Sequence, residues 1–157
     1  LVGQAVGGRD GAGARRAAKV GIVLATGLST LVSIVMWFAR DPVMAAYTAD
    51  PAVRELASSL VIYICLYQFF DAIQTVAAHA LRGYKITVGP MLIHTLCFWG
   101  IGLGGGYRLA FSGMGALLPP QGVAGFWQAA VLSNMAAAAL FGGYLHLASR
   151  NHAARPA

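Results

Sequence analysis

The sequence predicts an all-α membrane protein with four transmembrane helices. Of its 157 residues, 58% are apolar and only 10% are charged, and the mean hydropathy is +0.66. Soluble domains carry about 25% charged residues, so the composition indicates an integral membrane protein. Four long stretches are almost free of charge, and the basic residues between them alternate in number from one connection to the next.

Each stretch is long enough to cross a bilayer once. About 20 helical residues, rising 1.5 Å each, span a hydrocarbon core of about 30 Å. The predicted spans are 20–39, 56–81, 86–111 and 122–148. Pro119 and Pro120 separate the last two because proline cannot continue a helix. Asp41-Pro42 is predicted to open a short external segment over 40–55, with a helical turn after Pro51.

The two ends of the chain are expected to lie on the cytoplasmic side. Residues 1–19 are predicted to be the end of a preceding helix followed by a basic cytoplasmic loop, and 149–157 a cytoplasmic tail. Because residues 1–7 look like the tail of a helix already under way, we expect a fragment. The basic residues predicted on the cytoplasmic side are Arg9, Arg15, Arg16, Lys19, Arg82, Lys85, Arg150 and Arg155. Only Arg40, Arg54 and Arg108 fall on the other side, as the positive-inside rule requires.

The net charge of +6 does not predict a nucleic-acid partner. The basic residues form short clusters beside apolar spans, which is typical of membrane topology rather than of a binding stripe.

Asp71, near the middle of the second span, is the most informative residue. A charged side chain at the bilayer centre costs at least about 2.5–3.5 kcal/mol, so it indicates a functional site. Helical spacing places Tyr67, Gln68, Gln74 and Thr75 on the same face as Asp71. This polar stripe predicts a face toward a bundle interior or a water-filled cavity.

A carboxylate beside hydroxyl and amide oxygens can hold a small hard cation, and it can equally take up a proton. The structural alternative is that Asp71 pairs with an Arg or Lys on a neighbouring helix, or joins helices by hydrogen bonds. Gln128 and Asn134, in the fourth span, are interpreted as residues that make such interhelical hydrogen bonds.

No motif predicts an enzyme, a cofactor or a structural metal. The G-x-G-x-x-G string at 100–105 lies inside an apolar span, and with Gly106 it is better explained by close helix packing. Ser112 lacks the motif of a catalytic serine, and His94 is alone in its span. Cys65 and Cys97 are predicted to be reduced, packed thiols.

Several strings occur together in an order that is characteristic of a known family. They are Tyr67-Gln-Phe-Phe-Asp-Ala-Ile-Gln74, Ala80-Leu-Arg-Gly-Tyr-Lys85, Phe98-Trp-Gly-Ile-Gly-Leu-Gly-Gly-Gly-Tyr107 and Gly122-Val-Ala-Gly-Phe-Trp127. The sequence resembles the C-terminal half of MATE (multidrug and toxic compound extrusion) transporters of the NorM-like branch. It departs from the family pattern at Ile86, Gly104 and Ala129.

The resemblance implies a twelve-helix transporter with two six-helix lobes. This chain would supply the last four helices of the C-terminal lobe and a piece of the eighth helix, and its partners would be the remaining helices, the lipid bilayer and small organic drugs. An inward Na⁺ or H⁺ gradient would drive export of organic, often cationic compounds across a bacterial inner membrane, with no cofactor besides the coupling ion. The family's cation site would fall on Asp71 and Tyr67, and we expect Gln68, Gln74 and Thr75 to line the adjoining cavity.

Two other functions stay open on the sequence alone. The chain could be a small four-helix structural or assembly subunit in which Asp71 pairs with a basic residue of a partner. It could also belong to a lipid-linked oligosaccharide flippase of the same superfamily.

Overall fold

The computed structural model describes residues 1–113 and 119–153, the side chains of 152 and 153 excepted. In these ranges the chain forms helices and no strands. The helices are α1 (Val2–Gly7), α2 (Gly11–Tyr47), α3 (Pro51–Gly83), α4 (Val88–Ser112) and α5 (Val123–Ala153). Within α4, Val88–Thr95 is α-helical, whereas Leu96–Gly105 and Arg108–Ser112 have the wider turns of a π-helix.

The helices α2, α3, α4 and α5 are each long and apolar enough to cross a membrane. Many large apolar side chains on them are exposed, among them Leu24 (67%), Phe38 (80%) and Trp99 (70%). Apolar surface on this scale is not typical of a soluble monomer and suits contact with lipid or further helices. The prediction of an all-α membrane fold is therefore confirmed.

α2, α3 and α5 are longer than the apolar stretches that predicted them, whereas α4, with 25 residues, is about as long as its predicted span. α2 starts at Gly11, so the loop predicted to reach residue 19 is confined to the short connection after α1. The side chain of Asp10 starts α2 by accepting a hydrogen bond from the Gly13 amide at 2.7 Å. Hydropathy detects lipid-facing residues rather than helix ends, which explains the difference.

The segment predicted to be external over 40–55 begins as helix, because α2 continues through Pro42 to Tyr47. Proline removes one backbone donor, here the amide that would bond the carbonyl of Phe38. Beside Pro42 the continuing helix α2 contacts α3, where the Ser58 hydroxyl donates to the Asp41 carboxylate at 3.3 Å. The turn is instead made just before Pro51, where Asp50 accepts from the Ala52 amide at 2.9 Å and caps α3.

The core is formed mainly by α3 and α5. Ala77 and Leu81 from α3 and Ala137 and Phe141 from α5 are fully buried. Of the most apolar part of α2 only 6% is buried, against 33% for α5. α5 is therefore the innermost of the long helices, and α2 presents most of its surface outward.

Glycines allow α4 to approach α5 closely. A Cβ at Gly106 would lie 2.6 Å from Cδ1 of Phe126, and one at Gly125 would lie 2.8 Å from the backbone of Leu109 and Ala110. The interpretation that the glycines after residue 100 serve helix packing is confirmed at Gly106.

Of the residues predicted to be cytoplasmic, Arg15 and Lys19 lie beside the ends of α3 and α5, and Arg155 lies outside the described residues. Gly3 of α1 packs against Gly83 at the end of α3. Burial raises the pKa of the Tyr84 phenol, and the charge of nearby Arg15 opposes this shift. Lys19 and His146 line the same small cavity as Arg15. The start of α2 and the ends of α3 and α5 are thus neighbours.

Candidate functional site

The polar face of α3 borders an open cavity of about 700 Å³. Its lining contains Tyr67, Gln68 and Asp71 from α3 and Trp127 from α5. Because α3 is one continuous helix, residues three and four positions before Asp71 lie one turn away on the same face. The structure therefore brings together Asp71, Tyr67 and Gln68, as the helical spacing predicts.

Gln74 links Asp71 to the neighbouring helix. Its Nε2 donates to Asp71 Oδ1 at 2.9 Å and to Asn134 Oδ1 at 3.0 Å. Asn134 in turn donates to the Tyr67 carbonyl at 3.4 Å. Gln74 and Asn134 are both fully buried, so the hydrogen bond between them is shielded from water. The part-buried hydrogen bond from Gln74 to Asp71 connects the Asp71 side chain through this pair to α5.

The second carboxylate oxygen of Asp71 is available to a ligand. Within residues 1–113 and 119–153, the hydrogen bond from Gln74 is the one that the carboxylate accepts, and no Lys or Arg nitrogen lies within 4.0 Å of it. The described part of the chain thus contains no partner for the structural ion pair that the sequence left open. A carboxylate without a countercharge beside an open cavity favours a cation or a proton as its ligand.

Tyr67 and Trp127 form an aromatic corner beside Asp71. Their rings meet edge to face, with centroids 6.4 Å apart and an interplanar angle of 88°. Aromatic faces attract organic cations, and the attraction is strongest where water is excluded. The cavity therefore combines a carboxylate with an apolar, aromatic wall, which suits a small metal cation or an organic cation.

Buried Gln74 donates a hydrogen bond to Asp71 but is not part of the cavity lining, and Thr75 is exposed and is not part of the lining either. Helical geometry turns Gln74 about 60° to one side of Asp71 and Thr75 about 40° to the other. Because α5 lies on the Gln74 side, Gln74 is enclosed while Thr75 faces outward. The backbone carbonyl of Thr75 bonds to Nδ1 of His79 at 2.7 Å.

Two members of the site were not among the predicted site residues. Asn134 was interpreted as an interhelical hydrogen bonder, which the structure confirms, but its connection to Asp71 through Gln74 was not predicted. Trp127 ends one of the strings that resemble the family, and in the structure it borders the cavity. A buried amide in a membrane helix needs a buried polar partner, and Gln74 on the polar stripe is the signal that could have indicated it.

No cluster of three or more His, Cys, Asp or Glu side chains that could hold a metal occurs in the described ranges. Asp71 would be the sole carboxylate ligand that this part of the chain offers at the cavity. Further oxygen ligands would then come from hydroxyl, amide or carbonyl groups, water, or residues outside this chain.

Four helices long and apolar enough to cross a membrane define a multi-pass membrane protein, and the polar face of α3 borders its open cavity. The MatE family model matches residues 1–108, which include the whole polar face of α3. The chain belongs to the MatE family. Members of this family are membrane transporters and not enzymes, and they need no cofactor. The prediction that the chain is not an enzyme is therefore confirmed.

Relatives cover nearly the whole chain. The probable multidrug resistance protein NorM of Aromatoleum aromaticum is 55% identical over 150 residues, which is 96% of this chain and 32% of that protein. Multidrug resistance protein PmpM of Pseudomonas aeruginosa is 40% identical over 85% of this chain and 28% of its own length. Multidrug resistance protein MdtK of Pectobacterium atrosepticum is 35% identical over 96% and 33%. The chain thus spans about a third of the length of these relatives.

Proposed function

We propose that the chain is the C-terminal portion of a multidrug exporter of the bacterial inner membrane, driven by an inward gradient of Na⁺ or H⁺. The names of its relatives support drug export, and their length supports a larger protein of which this chain supplies about a third. The observation that carries the proposal is the position of Asp71. One of its oxygens is held by Gln74, and the carboxylate lines an open cavity without a countercharge from the described residues.

Asp71 and Tyr67 form the proposed cation site. An uncompensated carboxylate inside a membrane is costly, and a bound cation or proton removes that cost. Binding therefore favours whichever conformation encloses the neutralised site, and release favours the other. Each 1.4 kcal/mol of difference in cation affinity between two conformations changes their ratio about tenfold. Exchange of a cation for a drug by alternating access follows from this preference.

The same cavity offers contacts to an organic cation. Tyr67 and Trp127 provide aromatic surface, Gln68 a neutral amide and Asp71 a negative charge. A drug and the coupling ion would therefore compete for Asp71. This competition for one carboxylate would couple the transport of the drug to that of the ion. Gln74 would act through Asp71 by holding its carboxylate. Thr75 is exposed and outside the cavity lining, so a role for it in drug binding rests on the sequence alone.

Both ends of the chain are proposed to be cytoplasmic. The positive-inside rule supports this orientation, and the basic start of α2 lies beside the end of α5.

A chimaera provides the test. The matching segment of the Aromatoleum relative is replaced by this chain, and the relative itself is the positive control. In a drug-sensitive bacterial host, the chimaera is expected to raise the lethal concentration of a cationic dye such as ethidium. Asp71→Asn, which keeps the shape but loses the charge, should lower resistance to that of the empty vector at equal membrane expression.

Asp41→Asn is the matched control because Asp41 is exposed near the end of α2. This variant should retain resistance. Full resistance in the Asp71→Asn chimaera would contradict the proposed role of Asp71. A chimaera that reaches the membrane but never confers resistance would favour the structural-subunit alternative.

A further inference from the structure

A small groove between α2 and α5 combines basic and apolar side chains at the proposed cytoplasmic end of the bundle. It has a volume of about 180 Å³ and is separate from the cavity at Asp71. Arg15 and Lys19 stand one turn apart on α2, and His146 faces them from α5. Ile22, Gly142 and Leu145 form the deeper part of the lining.

The basic side chains of the groove have no acidic partners nearby. Within the described ranges, no carboxylate oxygen lies within 4.0 Å of the charged nitrogens of Arg15 or Lys19. The acidic residues of the chain are Asp10, Asp41, Asp50, Glu55 and Asp71. Of these, Asp10 belongs to this end, and its carboxylate caps the Gly13 amide. The groove therefore presents uncompensated positive charge that attracts an anionic group.

The order of residues along the groove matches the order of groups in a phospholipid. Arg15 and Lys19 come immediately before the apolar span of α2, at the level where lipid headgroups lie. Ile22 follows one turn deeper, and about 10 Å of helix separates it from Arg15. A phosphate held by the basic residues would place an acyl chain along Ile22, Leu145 and the flat surface at Gly142.

We propose that this groove binds the headgroup and upper acyl chain of an anionic phospholipid from the cytoplasmic leaflet. Basic pockets between transmembrane helices are suited to such headgroups because charge attraction adds to apolar contact. The proposal depends on the membrane location of the chain, and it does not depend on drug transport. A lipid bound here would tie α2 to α5.

Two pairs of variants test the groove. Arg15→Gln with Lys19→Gln removes two lining charges, and Arg16→Gln with Lys85→Gln removes two exposed charges from the same end outside the lining. Gly142→Leu fills the groove, because a Cβ at Gly142 meets no atom within 4 Å. Gly143→Leu is its control, since that position is equally open but lies outside the lining.

The measurement is native mass spectrometry of the purified chimaera, titrated with cardiolipin and separately with phosphatidylcholine. We expect cardiolipin to bind more tightly than phosphatidylcholine. The Arg15/Lys19 variant should lose about 30-fold in cardiolipin affinity, because two favourable charge contacts are removed. Gly142→Leu should lose about tenfold or more through exclusion of the acyl chain, whereas both controls should stay within about twofold.

Several results would overturn the proposal. Equal losses in the two charge variants would indicate diffuse attraction to the membrane surface. Unchanged cardiolipin affinity in Gly142→Leu and in the Arg15/Lys19 variant would mean that another segment of the longer protein covers the groove. Displacement of cardiolipin by millimolar inorganic phosphate would indicate a site for a soluble anion rather than for a lipid.

Discussion

At the scale of single residues, the site depends on one carboxylate and on the amide that holds it. Gln74 donates to both Asp71 and Asn134, so it connects the residue proposed to bind the cation with the helix that faces it. The buried Oε1 of Gln74 has no hydrogen-bond partner among the described residues. An unsatisfied buried acceptor is costly, so this oxygen of Gln74 lowers the stability of the fold.

Gln74→Leu is expected to destabilise the protein by about 1–3 kcal/mol, because it leaves the buried Asn134 Oδ1 without its donor. The double variant Gln74→Leu with Asn134→Leu should cost less than the sum of the two single variants, since both polar partners are then removed. Thermal unfolding of the chimaera in detergent measures these effects. Thr75→Val is the control, and as an exposed position it should change stability by less than about 0.5 kcal/mol. Additive losses would contradict the linkage.

At the scale of helices, hydropathy and charge predicted the number and order of the membrane-spanning elements. The helical repeat alone predicted that Asp71, Tyr67 and Gln68 share a face. The sequence could not predict the hydrogen bond from Gln74 to Asn134, since the register between α3 and α5 depends on packing rather than on periodicity. The continuation of α2 through Pro42 was missed for a similar reason. The local preference of proline indicates the end of a helix at Pro42, whereas the structure shows α2 continuing and contacting α3 through the Ser58–Asp41 hydrogen bond.

The crossing of α4 and α5 depends on Gly125. A Cβ there would lie 2.8 Å from backbone atoms of Leu109 and Ala110, which cannot move aside like a side chain. Gly125→Ala is therefore expected to destabilise the protein by about 1–3 kcal/mol, seen as a lower Tm in detergent. Gly143→Ala, at an open position of the same helix, should be neutral or stabilising by up to about 1 kcal/mol. Equal Tm values for the two variants would contradict the close approach.

At the scale of the whole molecule, the chain is a helical bundle whose apolar surface is largely uncovered. The exposed apolar surfaces of α2 and α4 suit contact with lipid and with the further helices of the longer protein that we propose. The polar cavity at Asp71 and the basic groove at Arg15 lie in different parts of the bundle. The proposed cation site and the proposed lipid site are therefore separable by mutation.

The proposed orientation predicts which loops a membrane-impermeant thiol reagent can reach. In a chimaera from which other cysteines have been removed, Lys85→Cys should react only after the membrane is opened. Thr48→Cys, between α2 and α3, should react from outside in intact cells. The reverse pattern would contradict cytoplasmic ends, although it would leave the helical fold unaffected.

The measurement that tests the central claim most directly is gradient-driven dye movement in liposomes that contain the purified chimaera. A Na⁺ gradient and an H⁺ gradient are imposed separately, and the flux of ethidium is followed by fluorescence. We expect at least one of the gradients to move ethidium against its own concentration difference, and Asp71→Asn to abolish this movement while Asp41→Asn retains it. Ethidium flux that is independent of both gradients, or unchanged by Asp71→Asn, would contradict cation-coupled export through Asp71.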